Sequence, residues 1–526
     1  MIVVLANVAT RFFVCRCDMT DDKRYSLHAP TKQLLQQLEG DIVIDNCLAG
    51  DLNSGFRRLQ TAVTDLTQEM QAYATIRLHT LPADSLEKTG LHPIVIHERQ
   101  QNGKTAQTVV YPYVRITYDS RSTIVSLLRN DRGKSGEENL NASIENLEYA
   151  FAEAIHSLTQ KETPRIAFIE GHGELPEENV YDVCSSLSRY FQIDRGVLGD
   201  DPTVLMPYKA VVIADPQGAF SESDKYILDY YVTHGGRILW VMNGVRFSND
   251  VLSQEGFTPV IAQDLNLQDM FFRYGVRIEP ALVQDVQCLP IPVNVSQDPQ
   301  QPNLQPMPWY YAPLLLTSQY SPITKNLAQV SCTFASPVSI VGGDDGLRKD
   351  ILLATSSASR LIGVPAEVDL GDLNPDMQTF TYQFIPIAIS VEGQFASIFA
   401  PRIAPEGIQA TPQLPLAKGK QVFAGSGSII RNEWQQTTPL PAGYDRYSGM
   451  SFSNRDFITN AVLYLVDNEG LIQLREKEVA LRLLNDKRAH DERKKIQAVS
   501  ISTPIVLLAI AGITIILIRK RKYTRK

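Results

Sequence analysis

No G-x-x-x-x-G-K-S/T loop occurs anywhere in this 526-residue chain, so it does not hydrolyse a nucleoside triphosphate through a P-loop. H-E-x-x-H is missing as well. The six cysteines, Cys15, Cys17, Cys47, Cys184, Cys288 and Cys332, show no C-x-x-C and no zinc-ligand spacing. Those gaps remove a dithiol redox pair and the usual metal-hydrolase pattern. No serine or cysteine stands in a G-x-S-x-G elbow, the turn that exposes a nucleophile in many hydrolases. Single cysteines scattered in this way read as small core residues, and no cofactor is expected. Positive charge is scarce except in one place. The last eight residues, RKRKYTRK, hold six of the 50 basic side chains, which leaves 44 basic against 58 acidic groups in the rest. A body this acidic offers no basic face for phosphate, which argues against nucleic acid as a partner.

What is present is a globular composition, 44% hydrophobic and 21% charged, in a chain long enough for two or three domains. From Ile496 to Ile518 there is no charge, and a helix of that length would span roughly 34 Å, enough for a hydrocarbon core of about 30 Å. A core helix rarely runs so far uncharged and then meets a cluster of cations, so 496–518 is expected to cross a membrane. The positive-inside rule puts 519–526 in the cytoplasm and residues 18–495 outside. At the other end, "MIVVLANVAT", Arg11 and "FFVC" are apolar but too short to span alone. Residues 1–17 read as part of an N-terminal membrane helix whose first half lies upstream.

Between these ends the pattern is α/β. "APTKQLLQQL" opens a helix at Pro30, "DIVIDN" is a strand, and "GFRRLQTAVTDLTQEMQAY" is a helix with Phe56, Leu59, Val63, Leu66 and Met70 at helical spacing. "ATIRLHTL" is a strand again, and a β–α–β order implies parallel pairing. A hairpin follows with its turn at Asn102-Gly103. "ENLNASIENLEYAFAEAIHSLTQ" is expected to form one long helix ending before Pro164. A second unit begins at "RIAFIE" and continues through "EENVYDVCSSLSRYF", the continuous apolar strand "KAVVIADP", a helix capped by Ser221 and Asp224, and "RILWV". This alternation predicts a doubly wound sheet. Residues 288–313, with seven prolines, are expected to be an extended crossing or loop. "SPVSIV", "TYQFIPIAISVEG", "FASIFAP" and "KQVFAGSGSII" look like strands, "NRDFITNAVLYLV" like a helix, and 471–495 like a charged stalk that is either solvated or docked on a partner.

The stretch "RIAFIEGHGELPE", Arg165 to Glu177, carries the candidate site. Its Gly-His-Gly falls at the carboxyl end of a predicted strand, where doubly wound sheets bind ligands. Glu170, His172 and Glu174 alternate, and a histidine beside carboxylates is suited to orient a base or hold a metal. The remaining metal ligands and the nucleophile have no source in the sequence. The simpler reading is a turn: Gly171 and Gly173 accept φ > 0, Glu174, Glu177 and Glu178 suit a helix N-terminus, and His172 donates to backbone carbonyls. Turn, ligand or partner contact, and catalysis stay open, with Glu170, Gly171, His172, Gly173, Glu174 and Asp215 as the residues concerned. Asp215 ends "VVIAD" and either faces the same crevice or caps the turn before Pro216. Trp309-Tyr310-Tyr311 offers an exposed aromatic contact or, more simply, packs onto the sheet.

Four stretches in order, "RCDMTDDKRYSL", "IAFIEGHGEL", "VVIADP…DKYILDYYVTHGGRILW" and "NRDFITNAVLYLVDNEGLIQLREKEVALRLL", resemble the GldG family of gliding-motility-associated accessory proteins of a Bacteroidetes ABC transporter. The likeness covers nearly the whole chain. It implies a thioredoxin-like N-terminal domain, here without redox cysteines, followed by a glutamine-amidotransferase-like α/β domain without its nucleophile. It also implies a membrane helix at each end, and a separate ATPase and a separate ABC permease as partners. Gly425–Ser428 reads "GSGS" where the resemblance leads one to expect acidic residues, which removes a carboxylate-bound metal there. The expected layout is a partial membrane helix (1–17), a thioredoxin-like periplasmic domain (18–137) and a connecting helix (138–163). An amidotransferase-like periplasmic domain (164–470), the stalk (471–495), the membrane helix (496–518) and the basic tail (519–526) follow. The expected function is a non-catalytic accessory subunit in gliding motility. A periplasmic solute-binding component and a hydrolase on the same fold are the alternatives.

Overall fold

The computed structural model describes residues 26–50, 52–81, 93–99, 105–128, 136–159, 163–294, 296, 303–325, 327–342, 346–400, 402, 404–409 and 414–467, with short helical pieces at 502–506, 508–510, 512–517 and 520. Two compact units divide the chain, Met1–Lys477 and Glu478–Lys526. The fold is mixed α/β with several sheets.

In the N-terminal part, α1 (Ala29–Gln36) leads to β1 (Ile42–Asn46), α2 (Ser54–Met70) and β2 (Ile76–Thr80). Asn53 caps α2 by accepting from the Phe56 N–H, and the buried stripe Leu59, Val63, Thr67 and Met70 fixes which face turns inward. β1 and β2 pair in parallel, Ile42 opposite Ile76, as the β–α–β order predicts. β3 (Ile94–Arg99) and β4 (Thr105–Val110) form the expected hairpin, whose turn at Asn102-Gly103 lies outside the described residues. β5 (Tyr113–Tyr118) and β6 (Arg121–Ser126) complete a four-stranded sheet in the order β2-β1-β5-β6.

The single long helix expected next is two, α3 (Gly136–Glu145) and α4 (Leu147–Thr159), interrupted at Asn146. The Ser143 hydroxyl donates to the Asn139 carbonyl at 2.6 Å, a back-bond that bends helices where it occurs. Leu147, Phe151, Ile155 and Leu158 of α4 join the N-terminal core, so the helix expected to connect the two parts is packed into the first of them.

The second part is built on a ten-stranded sheet. Its parallel half comprises β7 (Arg165–Glu170), β8 (Gln192–Val197), β9 (Ala210–Ala214) and β10 (Arg237–Val241), to which the distant β15 (Gly419–Ala424) is added. Its antiparallel half is β11 (Cys288–Asn294), β12 (Leu304–Thr317), β13 (Arg348–Ala354) and β14 (Pro386–Gly393). The order is β11-β12-β13-β14-β15-β10-β9-β7-β8, with Val330–Ser331 paired on β12. Alternate residues of each central strand feed two cores. Ile166, Phe168, Val212 and Leu239 meet α5 (Tyr181–Leu187) and α9 (Asn454–Val466) on one face. Ala167, Ile169, Val211 and Trp240 meet α6 (Glu222–Thr233) and α8 (Gln268–Arg273) on the other, and a further short helix, α7 (Asn249–Glu255), precedes α8. Covering both faces explains why β9 is buried at all five residues, and each such side chain contributes about 1.5–3 kcal/mol.

Two expectations are corrected. The proline-rich segment 288–313 is neither crossing nor loop. It supplies the paired strands β11 and β12, with Pro290 opposite Pro308 and Pro292 opposite Pro306. Proline has no N–H to donate, so these rungs fall at the non-hydrogen-bonded positions of the antiparallel ladder, and Ile291 opposite Met307 falls at a bonded one. Trp309, Tyr310 and Tyr311 are buried within β12. "FASIFAP" is not a strand either: residues 395–400 are irregular, because the Ser397 hydroxyl and the Ile398 N–H turn to the buried Asp229 carboxylate instead of to a neighbouring strand.

Phe457, Ala461 and Leu465 face inward on α9, as their spacing predicts. The charged stretch 471–495 lies outside the described residues. Among the described residues no helix is long and apolar enough to cross a membrane, and of 496–518 only the helical pieces named above are described.

Candidate functional site

Within the parallel half, the chain order along the sheet is second, first, third, fourth, fifth strand. The winding therefore reverses between β7 and β9, and the loops leaving their carboxyl ends flank a crevice. "GHGE" leaves β7 and Asp215 leaves β9, so the sequence places its candidates at that reversal.

Gly171 and Gly173 adopt φ of 114° and 74°, the left-handed conformations for which glycine is suited. Between them the chain turns back, and the His172 carbonyl accepts from the N–H groups of Gln217 (2.8 Å) and Gly218 (2.7 Å) in the β9 loop. Leu175 N–H reaches the Ala214 carbonyl at 2.9 Å. The two loops are thus stitched across the crevice by backbone.

The His172 ring does not donate to backbone carbonyls, contrary to the sequence reading. Its Nδ1 lies 3.0 Å from Glu174 Oε1 and its Nε2 3.3 Å from Asp224 Oδ2, and the ring stacks on Phe220 at 3.7 Å. The Glu174 carboxylate also accepts from the His172 backbone N–H at 2.7 Å. Asp224 belongs to a capping box with Ser221 at the start of α6, so the ring ties the β7 turn to that helix. Burial alone would lower the His172 pKa, but the hydrogen bonds and charges of Asp224 and Glu174 outweigh it and raise the value to about 9. Both ring nitrogens are engaged by carboxylates, an arrangement that favours the imidazolium at neutral pH.

The other candidates separate. Glu170 turns to Arg195 on β8, at 2.7 Å, and Gly171 abuts Val197. Gly173, Glu174 and Asp215 line a cavity of about 1050 Å³, and His172 is not among its lining residues. Asp215 has φ of 55°, and its Oδ1 accepts from Asn243 Nδ2 at 3.1 Å; it does not cap the turn before Pro216 with its side chain. Burial pushes its carboxyl up to about 6 against the opposing pull of Arg431, Asn243 and Gln217. Gly427, in the "GSGS" segment after β15, packs directly on this carboxylate: a Cβ there would stand 2.1 Å from the Asp215 carboxyl carbon.

Sequence reasoning missed Asn243, Arg431 and the aromatic wall of Trp434 and Tyr444, all of which line the cavity. The signal for Asn243 was readable, since "NG" begins two residues beyond the end of the buried strand β10. Arg431 lies seven residues beyond β15, and only the arrival of that strand beside β10, nearly 180 residues later in sequence, brings it here.

Residues 163–461 match the model of a protein family described as an ABC-type uncharacterized transport system. The chain belongs to this family. Residues 21–117 match a second family model, a domain of unknown function (DUF7088). No curated protein matches the chain. Among solved structures it is similar to the mmIFT52 N-terminal domain, with 14% identity over 57% of this chain and 96% of that one, at a TM-score of 0.33. A match that loose carries no argument about function. Membership of the transport-system family supports an accessory role in such a system and association with a transporter complex, and it suggests a non-enzymatic protein.

Proposed function

We propose that this chain is the membrane-anchored, non-catalytic accessory subunit of an ABC transport complex of the gliding-motility type, similar to GldG. It would work beside a separate ATPase and a separate permease. Its family supports a place in a transport system. The observation that carries the non-catalytic part is the His172 clamp: this histidine, at the ligand-binding end of the sheet, is committed to two carboxylates. The order β2-β1-β5-β6, with β1 and β2 parallel and β5 antiparallel to β1, favours a thioredoxin-like first domain (18–137). The reversal between β7 and β9 favours an amidotransferase-like second domain (164–470). On this reading 1–17 and 496–518 anchor the chain in the inner membrane, 138–163 links the domains, and 471–495 is the stalk. The domains would lie in the periplasm, and 519–526 in the cytoplasm.

Purification of a tagged full-length chain from gently solubilised native membranes, with mass spectrometry of its companions, tests this reading. An ATPase and a polytopic permease in the eluate are expected. A folded chain recovered alone at full yield would refute it.

One observation favours a second reading, a solute-binding component: the cavity lies where doubly wound sheets take their ligands and is lined by both polar and aromatic side chains. Glu170, Gly171 and His172 would support its wall, and Gly173, Glu174 and Asp215 would face the solute.

A further inference from the structure

The cavity at the strand reversal holds two opposite charges that do not meet. Asp215 lines it, positioned by the Asn243 amide and packed against the Gly427 backbone. Arg431 faces the same space and feels Asp215 electrostatically, yet among the described residues its guanidinium forms no ion pair and no side-chain hydrogen bond. Neighbouring charges are mostly spoken for: Glu174 is bound to His172, Glu433 is paired with Arg446 at 2.6 Å, and Asp445 accepts from the Ser448 N–H. Asp250 adds a further negative charge to the lining. Among the remaining lining residues, which are both polar and apolar, Leu289, Ile291, Trp309 and Phe334 supply apolar surface.

The Asp215 carboxylate and the exposed Arg431 guanidinium line one cavity without an ion pair between them, so a ligand carrying both complementary charges can pair with the two together. A guanidinium presents a planar fork that matches a carboxylate. A fixed carboxylate with one neutral donor is suited to an ammonium group. We infer that the cavity receives a small zwitterion, a free amino acid or short peptide, with its ammonium on Asp215, its carboxylate on Arg431 and its apolar side chain along Leu289, Ile291, Trp309 and Phe334. This rests on the solute-binding reading of the cavity and names its ligand class.

The test is titration calorimetry on the full-length chain in detergent, with L-leucine, L-phenylalanine and the dipeptide Leu-Leu as probes. 3-Methylbutylamine and 4-methylpentanoate serve as single-charge analogues of leucine. At least one zwitterion is expected to bind, and each analogue to bind about tenfold more weakly or worse, because one of the two charges lining the cavity loses its partner. The free amino acid and the dipeptide distinguish a short from a long spacing between the two charges. Arg431→Gln changes an exposed side chain and leaves the fold intact; it is expected to lower affinity by about tenfold or more. Asp215→Asn is expected to do the same, with thermal melting as the check on its folding. Absence of binding by all three zwitterions, equal binding of the single-charge analogues, or full affinity in Arg431→Gln would each overturn the inference. Co-purification with transport components is read separately. A chain that captures them and binds no zwitterion loses this site and keeps its accessory role, and one that binds a zwitterion but captures nothing does the reverse.

Discussion

His172 and Asp224 are 52 residues apart in the chain, and their side chains meet at 3.3 Å. One ring nitrogen holds the cap of α6 and the other holds Glu174, so a single imidazolium fastens the β7 turn to the helix that follows β9. Because the folded-state pKa is raised above 6.5 to about 9, the stabilisation is fully present below about pH 6.5 and is lost as pH rises through 9. His172→Gln should therefore cost on the order of 3 kcal/mol at pH 6, progressively less as pH rises from 6.5 to 9, and almost nothing above that. Urea denaturation of both proteins across pH 6–10 checks this; a cost independent of pH would assign the effect to packing on Phe220 alone.

Asp224 serves both His172 and the cap, so the two roles can be separated. Ser221→Ala removes half of the capping box and should cost about 1 kcal/mol, whether or not His172 is present. His172→Gln and Asp224→Asn should be strongly non-additive, with a coupling of roughly 0.5–3 kcal/mol in a double-mutant cycle. Additive costs would show that the 3.3 Å contact contributes nothing.

Asp215 works in the opposite sense. Its carboxyl is raised from 3.8 to about 6 by burial, so the folded protein binds the proton more tightly than the unfolded chain does, and stability falls as pH rises through that window. Asp215→Asn should stabilise the protein at pH 7.5 by up to about 2–3 kcal/mol, with the gain vanishing below pH 4. Chemical denaturation at the two pH values decides it, and a destabilised variant at pH 7.5 would mean that the ionised carboxylate is held more favourably than its burial indicates.

Gly427→Ala would set a methyl group 2.1 Å from the Asp215 carboxyl carbon, a distance no side chain tolerates. We expect a loss of about 1–3 kcal/mol as the β15 loop or Asp215 shifts, partly restored in Gly427→Ala with Asp215→Ala. Stability of the single variant equal to the parent would show that Asp215 has room to move.

Much of the architecture is legible in the sequence because local pattern and long-range packing agree. The uninterrupted apolar run of β9 announces a strand covered on both faces, and the Ser221–Asp224 pair announces where α6 begins. The misreadings arise where tertiary partners outweigh local preference. Prolines usually break strands, and only the pairing of one proline with another across β11 and β12 makes them acceptable. The run at 395–400 has β-forming residues, but a buried carboxylate 168 residues upstream of Ser397 claims its polar groups. The site follows the same rule. The turn at Gly171–Gly173 was readable from glycine spacing, whereas the partners of His172 were half hidden: Glu174 is two residues away, and Asp224 reaches the ring only through the fold. Arg431 was invisible for the same reason.

The proline rungs also govern how this molecule meets others like it. In β11, the outermost strand, Pro290 and Pro292 occupy positions whose N–H groups would otherwise point away from β12 toward an incoming chain. A foreign strand laid along that margin would find acceptors but gaps where donors should be, and could not zip into register. The two prolines thereby take away donors that an incoming strand would need, which disfavours growth of the ten-stranded sheet on that side.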